Sequence, residues 1–427
     1  MKKDNKKESA KGVNEGRPGY KHTPLGWIPE EWEYTRLDKI SDIVRGSSPR
    51  PAGDAKFFNG NYMPWLTVAS LTTLSDSILE VTQTEGSLTE LGSRQSRILE
   101  KGTLILSNSG ATLGVPKILG IKCCANDGIA AFINWKDNVA DKKFILYNLA
   151  NLTKYLREVI APGNGQPNLN TELIGSSFVP LPPINEQNLI VKYLSIWDEA
   201  INKAEQLIEQ LKRRNIGLMQ ELLTGSKRLQ GFEGDWKKLH VHDIAKEVSL
   251  KNRNGKNLTV LSCTKYAGLV PSLEYFGRQV FGSDTSTYKV VPQYHFAYAT
   301  NHIEEGSIGY QDRFEEGLIS PMYTVFKTNN LIHDEYLYKL LKSHQYIHEY
   351  RKRMEGSIDR RGGLRWDSFS KISIHLPKLE EQKALASVFG IMDEEYILQE
   401  KNLAKVNQQK KGLMQKLLTG EIRVNKV

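Results

Sequence analysis

The sequence predicts an α+β protein: two mixed α/β domains separated by two long helices that form an antiparallel intramolecular coiled coil. Three observations carry this prediction. The chain repeats itself at a constant offset of 195 residues, each copy ends in a long segment with apolar residues at helical spacing, and each copy begins with a block of unlike sequence. Together they predict an internal pseudo-two-fold repeat. The length of 427 residues allows two or three domains.

Two pairs of segments show the repeat most clearly. LPPINEQ at 181–187 matches LPKLEEQ at 376–382, and GLMQELLTG at 217–225 matches GLMQKLLTG at 412–420. Sixteen of the 45 positions in 181–225 are identical at this offset without a gap. The match continues more weakly upstream. The two halves therefore derive from one duplicated ancestor.

An apolar seam predicts that each repeated segment is a long helix. Its positions step by four and three residues alternately, which is typical of a coiled coil. Prolines precede both segments and Gly225 and Gly420 follow them, as expected at helix starts and stops. The seam positions are Ile190, Leu194, Trp197, Ile201, Ala204, Ile208, Leu211, Asn215, Leu218 and Leu222, and then Leu385, Phe389, Met392, Tyr396, Gln399, Leu403, Val406, Lys410, Leu413 and Leu417.

Three polar residues interrupt the seam: Asn215, Gln399 and Lys410. The preferred interpretation is that the seam frays or meets solvent at these points. The alternative is that they fix the register of the helix pair, as a buried polar residue can.

These patterns divide the chain into five parts. We expect a disordered basic tail, a first variable block, a central helical spacer, a second variable block and a C-terminal helical spacer. Their predicted bounds are 1–24, 25–180, 181–225, 226–375 and 376–421. Strand-like runs lie at 62–69, 103–107, 129–134, 259–263, 287–291 and 323–327, and helical runs at 142–160 and 333–354.

A polar, glycine-containing loop closes each block and fits a polyanion. Glycine lets backbone N–H groups approach phosphate, and arginine offers paired donors. Asparagine and glutamine suit the edge of adenine. A solvated surface turn is the alternative. The candidate DNA-binding residues are Gln166, Asn168 and Asn170 in the first closing loop, Arg360, Arg361 and Arg365 in the second, Ser107 and Asn108 in the loop 107–114, and Asn301 in its possible counterpart 301–309.

Composition and motifs narrow the function classes. The net charge of +9 permits nucleic-acid binding without requiring it, and no apolar run is long enough to span a membrane. Three cysteines predict reduced, buried thiols in a cytoplasmic protein. No P-loop, dinucleotide-binding or methyltransferase motif was found, so neither a catalytic residue nor a cofactor is predicted. His240 and His242 are expected to face opposite sides of a strand, so no metal site is predicted.

The duplicated organisation resembles the specificity subunit of type I restriction-modification systems. The resemblance covers roughly residues 25 to 421, most strongly the LPPINEQ/LPKLEEQ and GLMQELLTG/GLMQKLLTG pairs. It implies a non-catalytic protein whose two target-recognition domains each read one half of a split site in double-stranded DNA. It also implies helices that set the spacer and dock two DNA adenine methyltransferase subunits, with motor-nuclease subunits as further partners.

Two other classes stay open from the residues alone. A structural coiled-coil scaffold explains the seam but gives the two unlike blocks no role. An autonomous DNA nuclease or methyltransferase would need a metal or cofactor site that the sequence does not reveal.

Overall fold

The computed structural model describes residues 17–110, 112–160, 168–355 and 363–424. The chain forms two compact units, residues 1–207 with 400–427 (unit 1) and residues 208–399 (unit 2). Each unit therefore contains one variable block and a part of each long helix. Within the described ranges, no helix is both long and apolar enough to cross a membrane.

Unit 1 contains thirteen strands in its described residues. They are β1 Tyr20–Thr23, β2 Gly26–Pro29, β3 Glu33–Arg36, β4 Asp42–Arg45, β5 Phe58–Leu66, β6 Glu80–Val81, β7 Gly86–Leu88, β8 Arg97–Leu99, β9 Leu104–Ser107, β10 Pro116–Leu119, β11 Cys123–Ala125, β12 Ile129–Ile133 and β13 Phe178–Leu181. Its helices within the block are α1 Val68–Thr72, α2 Glu90–Arg94, α3 Lys142–Tyr155 and α4 Thr171–Ser176, with a 3₁₀ turn at Leu37–Lys39 and a π turn at Leu156–Ile160.

Unit 2 contains ten strands in its described residues. They are β14 Lys237–His240, β15 Ala245–Val248, β16 Leu261–Thr264, β17 Gly268–Pro271, β18 Lys289–Pro292, β19 His295–Ala299, β20 Ile308–Gln311, β21 Glu316–Ile319, β22 Tyr323–Thr328 and β23 Ser373–Leu376. The long helices are α5 Ile184–Thr224 and α11 Leu379–Leu418; between them lie α6 Val241–Ile244, α7 Ser272–Phe276, α8 Asp334–Leu341, α9 His344–Glu355 and α10 Trp366–Phe369, with a 3₁₀ turn at Ile303–Glu305.

The two blocks share a sheet core although their sequences differ. Unit 1 has a sheet in the order β4-β12-β9-β10-β6, and unit 2 has one in the order β15-β22-β19-β20. The first four strands of each order are joined by antiparallel pairs. A two-stranded antiparallel ladder also precedes each long helix, β3 with β13 and β14 with β23. The duplication therefore extends through the folds of both blocks.

Both long helices are confirmed, and the seam faces inward along them. All twenty predicted seam positions are buried or half-buried. In unit 1, Arg423 beyond the end of α11 bonds to Glu186 at the start of α5, while Lys410 bonds to Asp198 farther along. In unit 2, Asn215 and Arg214 contact Met392 and Glu395. In both units, the two helix segments run antiparallel.

The preferred interpretation of Lys410 was wrong. Its ammonium pairs with the Asp198 carboxylate, and the side chains are only 13% and 7% exposed. The hydroxyl of Tyr147 donates to the other Asp198 oxygen at 2.6 Å. Asn215 is half-buried and donates to the Met392 carbonyl oxygen at 3.3 Å. These contacts are specific to one register, because a shifted helix would leave a charge unpaired.

The expected extent of the basic tail was also wrong. Residues 1–16 lie outside the described part of the chain. Tyr20–Thr23 are ordered, because they pair with Gly26–Pro29 in an antiparallel hairpin. The Tyr20 hydroxyl donates to the Gly420 carbonyl oxygen at 2.9 Å. The hairpin is therefore attached to the end of α11.

Candidate nucleic-acid interface

The repeated glutamine of the LPPINEQ and LPKLEEQ segments builds the same junction in each unit. Gln187 donates to the carbonyl oxygens of Val139 and Pro182 at 3.0 and 2.8 Å, and accepts from the Asp141 N–H at 2.8 Å. Asp141 is the N-cap of α3. Because Gln187 is completely buried, these bonds lock the base of the block to the start of α5.

Gln382 makes the equivalent junction in unit 2. It donates to the carbonyl oxygens of Leu331 and Pro377 at 3.2 and 3.0 Å, and accepts from the His333 N–H at 2.8 Å. His333 is the N-cap of α8. The sequence showed that this glutamine repeats, and the structure gives the physical reason.

The neighbouring glutamate anchors the end of the other long helix. In unit 1, Glu186 accepts two bonds from Arg423 at 2.7 and 2.9 Å and one from the Trp32 indole at 3.1 Å. In unit 2, Glu381 accepts two bonds from Arg228 at 2.6 and 2.7 Å. Carboxylate and hydrogen-bond partners raise the pKa of both arginines above its usual value. Each block is thus fixed at its base.

The structure brings together the two loops singled out in unit 1. Asn108 directly follows β9, and its carbonyl oxygen accepts from the Leu169 N–H at 2.8 Å. Ser109 and Asn168 form an isolated antiparallel bridge. Segments about 60 residues apart in sequence therefore form one surface.

The predicted site residues of this surface have different surroundings. Ser107 is fully buried, and its hydroxyl donates to the Thr112 carbonyl oxygen at 2.6 Å. The Asn170 side chain caps α4 by accepting from the Leu173 N–H at 2.7 Å. Both therefore shape the loops. Asn168 is exposed, whereas Gln166 lies outside the described residues.

Asn108 is the unusual member of the set. Its side chain is completely buried, yet neither its amide nitrogen nor its oxygen has a hydrogen-bond partner among the described residues. Burying an amide without hydrogen-bond partners lowers the stability of a folded protein. Because the side chain is completely buried, the predicted DNA-binding residue Asn108 is not exposed on the loop surface in this conformation.

Unit 2 repeats this loop junction. The carbonyl oxygen of Thr300, directly after β19, accepts from the Leu364 N–H at 2.7 Å. Leu364 matches Leu169 at the offset of 195 residues. Gly363 has φ +62°, and a Cβ there would lie 2.5 Å from the Thr300 carbonyl oxygen, so a glycine is needed for this close approach. Asn301 is exposed beside it.

A cavity of about 380 Å³ lies beside this junction in unit 2. Arg365 and Trp366 line it together with Lys289, Glu247 and Asp367. Arg365 is exposed, and burial lowers the pKa of Lys289, whose ammonium donates to the Tyr323 carbonyl oxygen at 2.6 Å. Arg360 and Arg361 belong to the undescribed segment directly before this wall. Cations and an indole in one cavity suit a phosphate or a base.

Sequence reasoning missed an arginine cluster in unit 1, formed by Arg45, Arg50 and Arg97. All three are exposed. Arg50 pairs with Asp127 at 3.3 Å, and the Arg97 guanidinium donates to the Arg45 carbonyl oxygen at 2.8 Å. Next to Asp127, the Gly128 carbonyl oxygen accepts from the Asn108 N–H at 2.9 Å. Spacing could not reveal this cluster, because strand pairing assembles it.

The expected orientation of His240 and His242 was wrong. Residues two positions apart in a strand face the same side, and here β14 also ends at His240, with α6 directly after it. The two imidazole rings stack in parallel with centroids 5.2 Å apart. Asp243 lies 3.8 and 3.6 Å from the two imidazoles. The group is exposed, and Asp243 already accepts from the His240 N–H at 2.7 Å.

Comparisons with known proteins agree with this architecture. Residues 29–213 match the model of the type I restriction modification DNA specificity domain. The MjaVIII type I restriction enzyme specificity subunit of Methanocaldococcus jannaschii is 25% identical, with 93% of this chain and 94% of that protein covered. Over nearly its whole length, the chain is therefore similar to type I restriction enzyme specificity subunits.

Further relatives agree along the whole length. A putative MjaX specificity subunit from the same organism is 24% identical, with 95% of this chain and 97% of that protein covered. The crystal structure of the S subunit from M. genitalium has a TM-score of 0.53 at 14% identity, covering 93% of this chain and 97% of that one. A chain from a study of complex assembly in the type I R-M system has a TM-score of 0.60 at 14% identity, covering 92% and 99%. These two likenesses concern the fold.

Proposed function

We propose that this chain is a type I restriction-modification specificity subunit that reads a split, asymmetric site in double-stranded DNA and has no catalytic role of its own. One block, residues 25–180, reads one half-site, and the other, residues 226–375, reads the second. The observation that carries the proposal is the loop junction built twice. Asn108 with Leu169 and Thr300 with Leu364 share backbone geometry, while the side chains around them differ. Two blocks that share a backbone arrangement but carry different side chains are suited to reading two different DNA sequences.

The charges around each junction support a role in DNA binding. In the arginine cluster of unit 1, Arg50 pairs with the Asp127 carboxylate, and Arg45 and Arg97 bond to backbone carbonyl oxygens. In unit 2, Arg365 and Lys289 line the cavity together with Glu247 and Asp367. Such cations contact phosphates and position the protein, whereas exposed amides such as those of Asn168 and Asn301 read base edges. Arg360, Arg361 and Gln166, which lie outside the described residues, stay candidate DNA-binding residues from the sequence.

The partners follow from the same proposal. We infer that α5 and α11 set the distance between the half-sites and dock two DNA adenine methyltransferase subunits, with motor-nuclease subunits joining for cleavage. Supporting this, Ile196 and Ile391 occupy equivalent positions and are 57% and 63% exposed. Apolar side chains exposed on paired helices are typical of protein interfaces.

Sequencing of methylated adenines in the host genome, with and without this gene, tests the proposal. The expected result is one split, asymmetric motif that disappears with the gene. An unchanged methylation pattern would contradict the proposed function and favour a structural scaffold.

Single substitutions test whether the blocks read independently. In an Arg365→Ala strain, methylation is expected to weaken or relax at one half-site only, because Arg365 lies in unit 2. Arg97→Ala is expected to weaken DNA binding without changing the bases read. The slope of the logarithm of the binding constant against the logarithm of the salt concentration is expected to fall in magnitude by about one. The exposed Arg213, paired with Glu209 on α5, provides the control Arg213→Ala. Equal effects at both half-sites would argue against independent blocks.

A further inference from the structure

Two carboxylates on α5 attach the block of unit 1 to the helix. Asp198 accepts from the Tyr147 hydroxyl on α3 at 2.6 Å. Glu205 accepts from the hydroxyls of Ser75 and Ser77 at 2.7 and 2.9 Å. Seven residues separate the carboxylates, two helical turns or about 10 Å, so they lie on one face of α5. Together with the Gln187 junction at the base, they attach the block at three levels along α5, which restricts its tilting.

The second attachment is linked rigidly to the sheet. The Ser75–Ile78 turn is supported by Lys117 of β10, whose ammonium donates to the carbonyl oxygens of Ser75 and Ile78 at 2.8 and 2.5 Å. Lys117 is only 2% exposed, and burial lowers its pKa. These two bonds hold the Ser75–Ile78 turn against β10. Breaking them would leave the buried Lys117 ammonium without hydrogen-bond partners, which is costly.

The sheet continues this connection to the candidate interface. β10 pairs with β9, and β9 ends directly before Asn108. A movement at Glu205 therefore reaches the interface through one turn and two paired strands. One base pair corresponds to about 3.4 Å along the duplex. A small rotation of the block therefore changes the spacer length between half-sites that the protein can bind.

We propose that Asp198 and Glu205 are positioning residues whose two-point attachment fixes the spacer length this subunit accepts. The proposal rests on the proposed function, because spacing has meaning only for a split DNA site. Glu205 determines the orientation of the block on α5 and leaves the choice of bases to the loops. Removing Glu205 leaves the block attached to α5 at Gln187 and Asp198 and frees the attachment farthest from its base, so the block can tilt.

Methylated-adenine sequencing of strains carrying the full chain tests this. In a Glu205→Ala strain, the half-site bases are expected to stay unchanged, while sites with spacers one base pair shorter or longer gain methylation by about tenfold or more. Losing even one of the two hydrogen bonds to the charged Glu205 has an effect of this size. Glu205→Gln, which can still accept from a serine hydroxyl, is expected to restore the single spacer. Glu209→Ala is the matched control, one helical turn away, with an exposed ion pair to Arg213.

The double variant Ser75→Ala/Ser77→Ala removes the same bonds from the other side and guards against a local folding defect at Glu205. A single unchanged spacer in both variant strains would overturn the inference. So would altered half-site bases, or loss of all methylation in both variants with Glu209→Ala intact. Failure of the proposed function is recognised separately, because the wild-type strain would then show no split motif that depends on this gene.

Discussion

The buried pair of Lys410 and Asp198 gives the sharpest test of how the helix pair is held. Lys410→Met keeps the length of the side chain but leaves the Asp198 carboxylate without its cation. Removing one partner of a buried pair typically costs 3–5 kcal/mol. Asp198 keeps the Tyr147 hydroxyl at 2.6 Å, so we expect the lower end, about 3 kcal/mol, or roughly 150-fold in the local opening equilibrium.

Hydrogen exchange is the appropriate assay, because a chain with two units need not unfold in one step. Backbone amides of α5 and α11 near the pair are expected to exchange roughly 150-fold faster in Lys410→Met. Adding Asp198→Asn removes the uncompensated charge and is expected to recover about half of the loss in free energy. Lys411→Met, at an exposed neighbouring position, is the control. Equal exchange in Lys410→Met and Lys411→Met, or no recovery in the double variant, would refute the reasoning.

Two further predictions follow from buried titratable groups. Burial lowers the pKa of His295 below 6.5, so the unfolded state binds the proton first as pH falls, and unit 2 is expected to lose stability below about pH 6.5. This pH dependence should shrink in His295→Gln, measured by thermal unfolding between pH 5 and pH 8; an unchanged slope would contradict it. Burial raises the pKa of the Cys123 and Cys263 thiols to about 12, so thiol reagents at pH 8 are expected to label neither cysteine before unfolding. Rapid labelling of the native chain would show that the thiols are accessible.

Local sequence patterns predicted the regular elements with small errors. The helical run 142–160 forms α3 and a π turn, but the run 333–354 forms two helices, because the chain turns at Lys342 and Ser343. The predicted strand 62–69 ends at Leu66, and α1 begins at Val68, capped by Thr67. Apolar periodicity identifies a segment, whereas a cap decides where it ends.

Long-range contacts limited the prediction of the candidate site. Asn108 and Leu169 could be singled out as parts of polar loops, but their junction depends on the pairing of β9 and β12. The arginine cluster has no sequence signal, because Arg45, Arg50 and Arg97 lie on separate segments. Ser107 has a polar side chain that the fold uses internally. Residue type alone cannot separate an exposed serine from a buried one.

The sequence by itself determined the duplication, the two long helices and their inward seam, because a repeat and a heptad spacing are properties of residue order. Only the tertiary structure decided that Lys410 is paired and that the unlike blocks share a four-stranded order. The tertiary structure also showed that Glu205 accepts hydrogen bonds from two serines of a turn far away in the sequence. Pairing and burial depend on contacts between segments far apart in the chain, and no local pattern of residues encodes them.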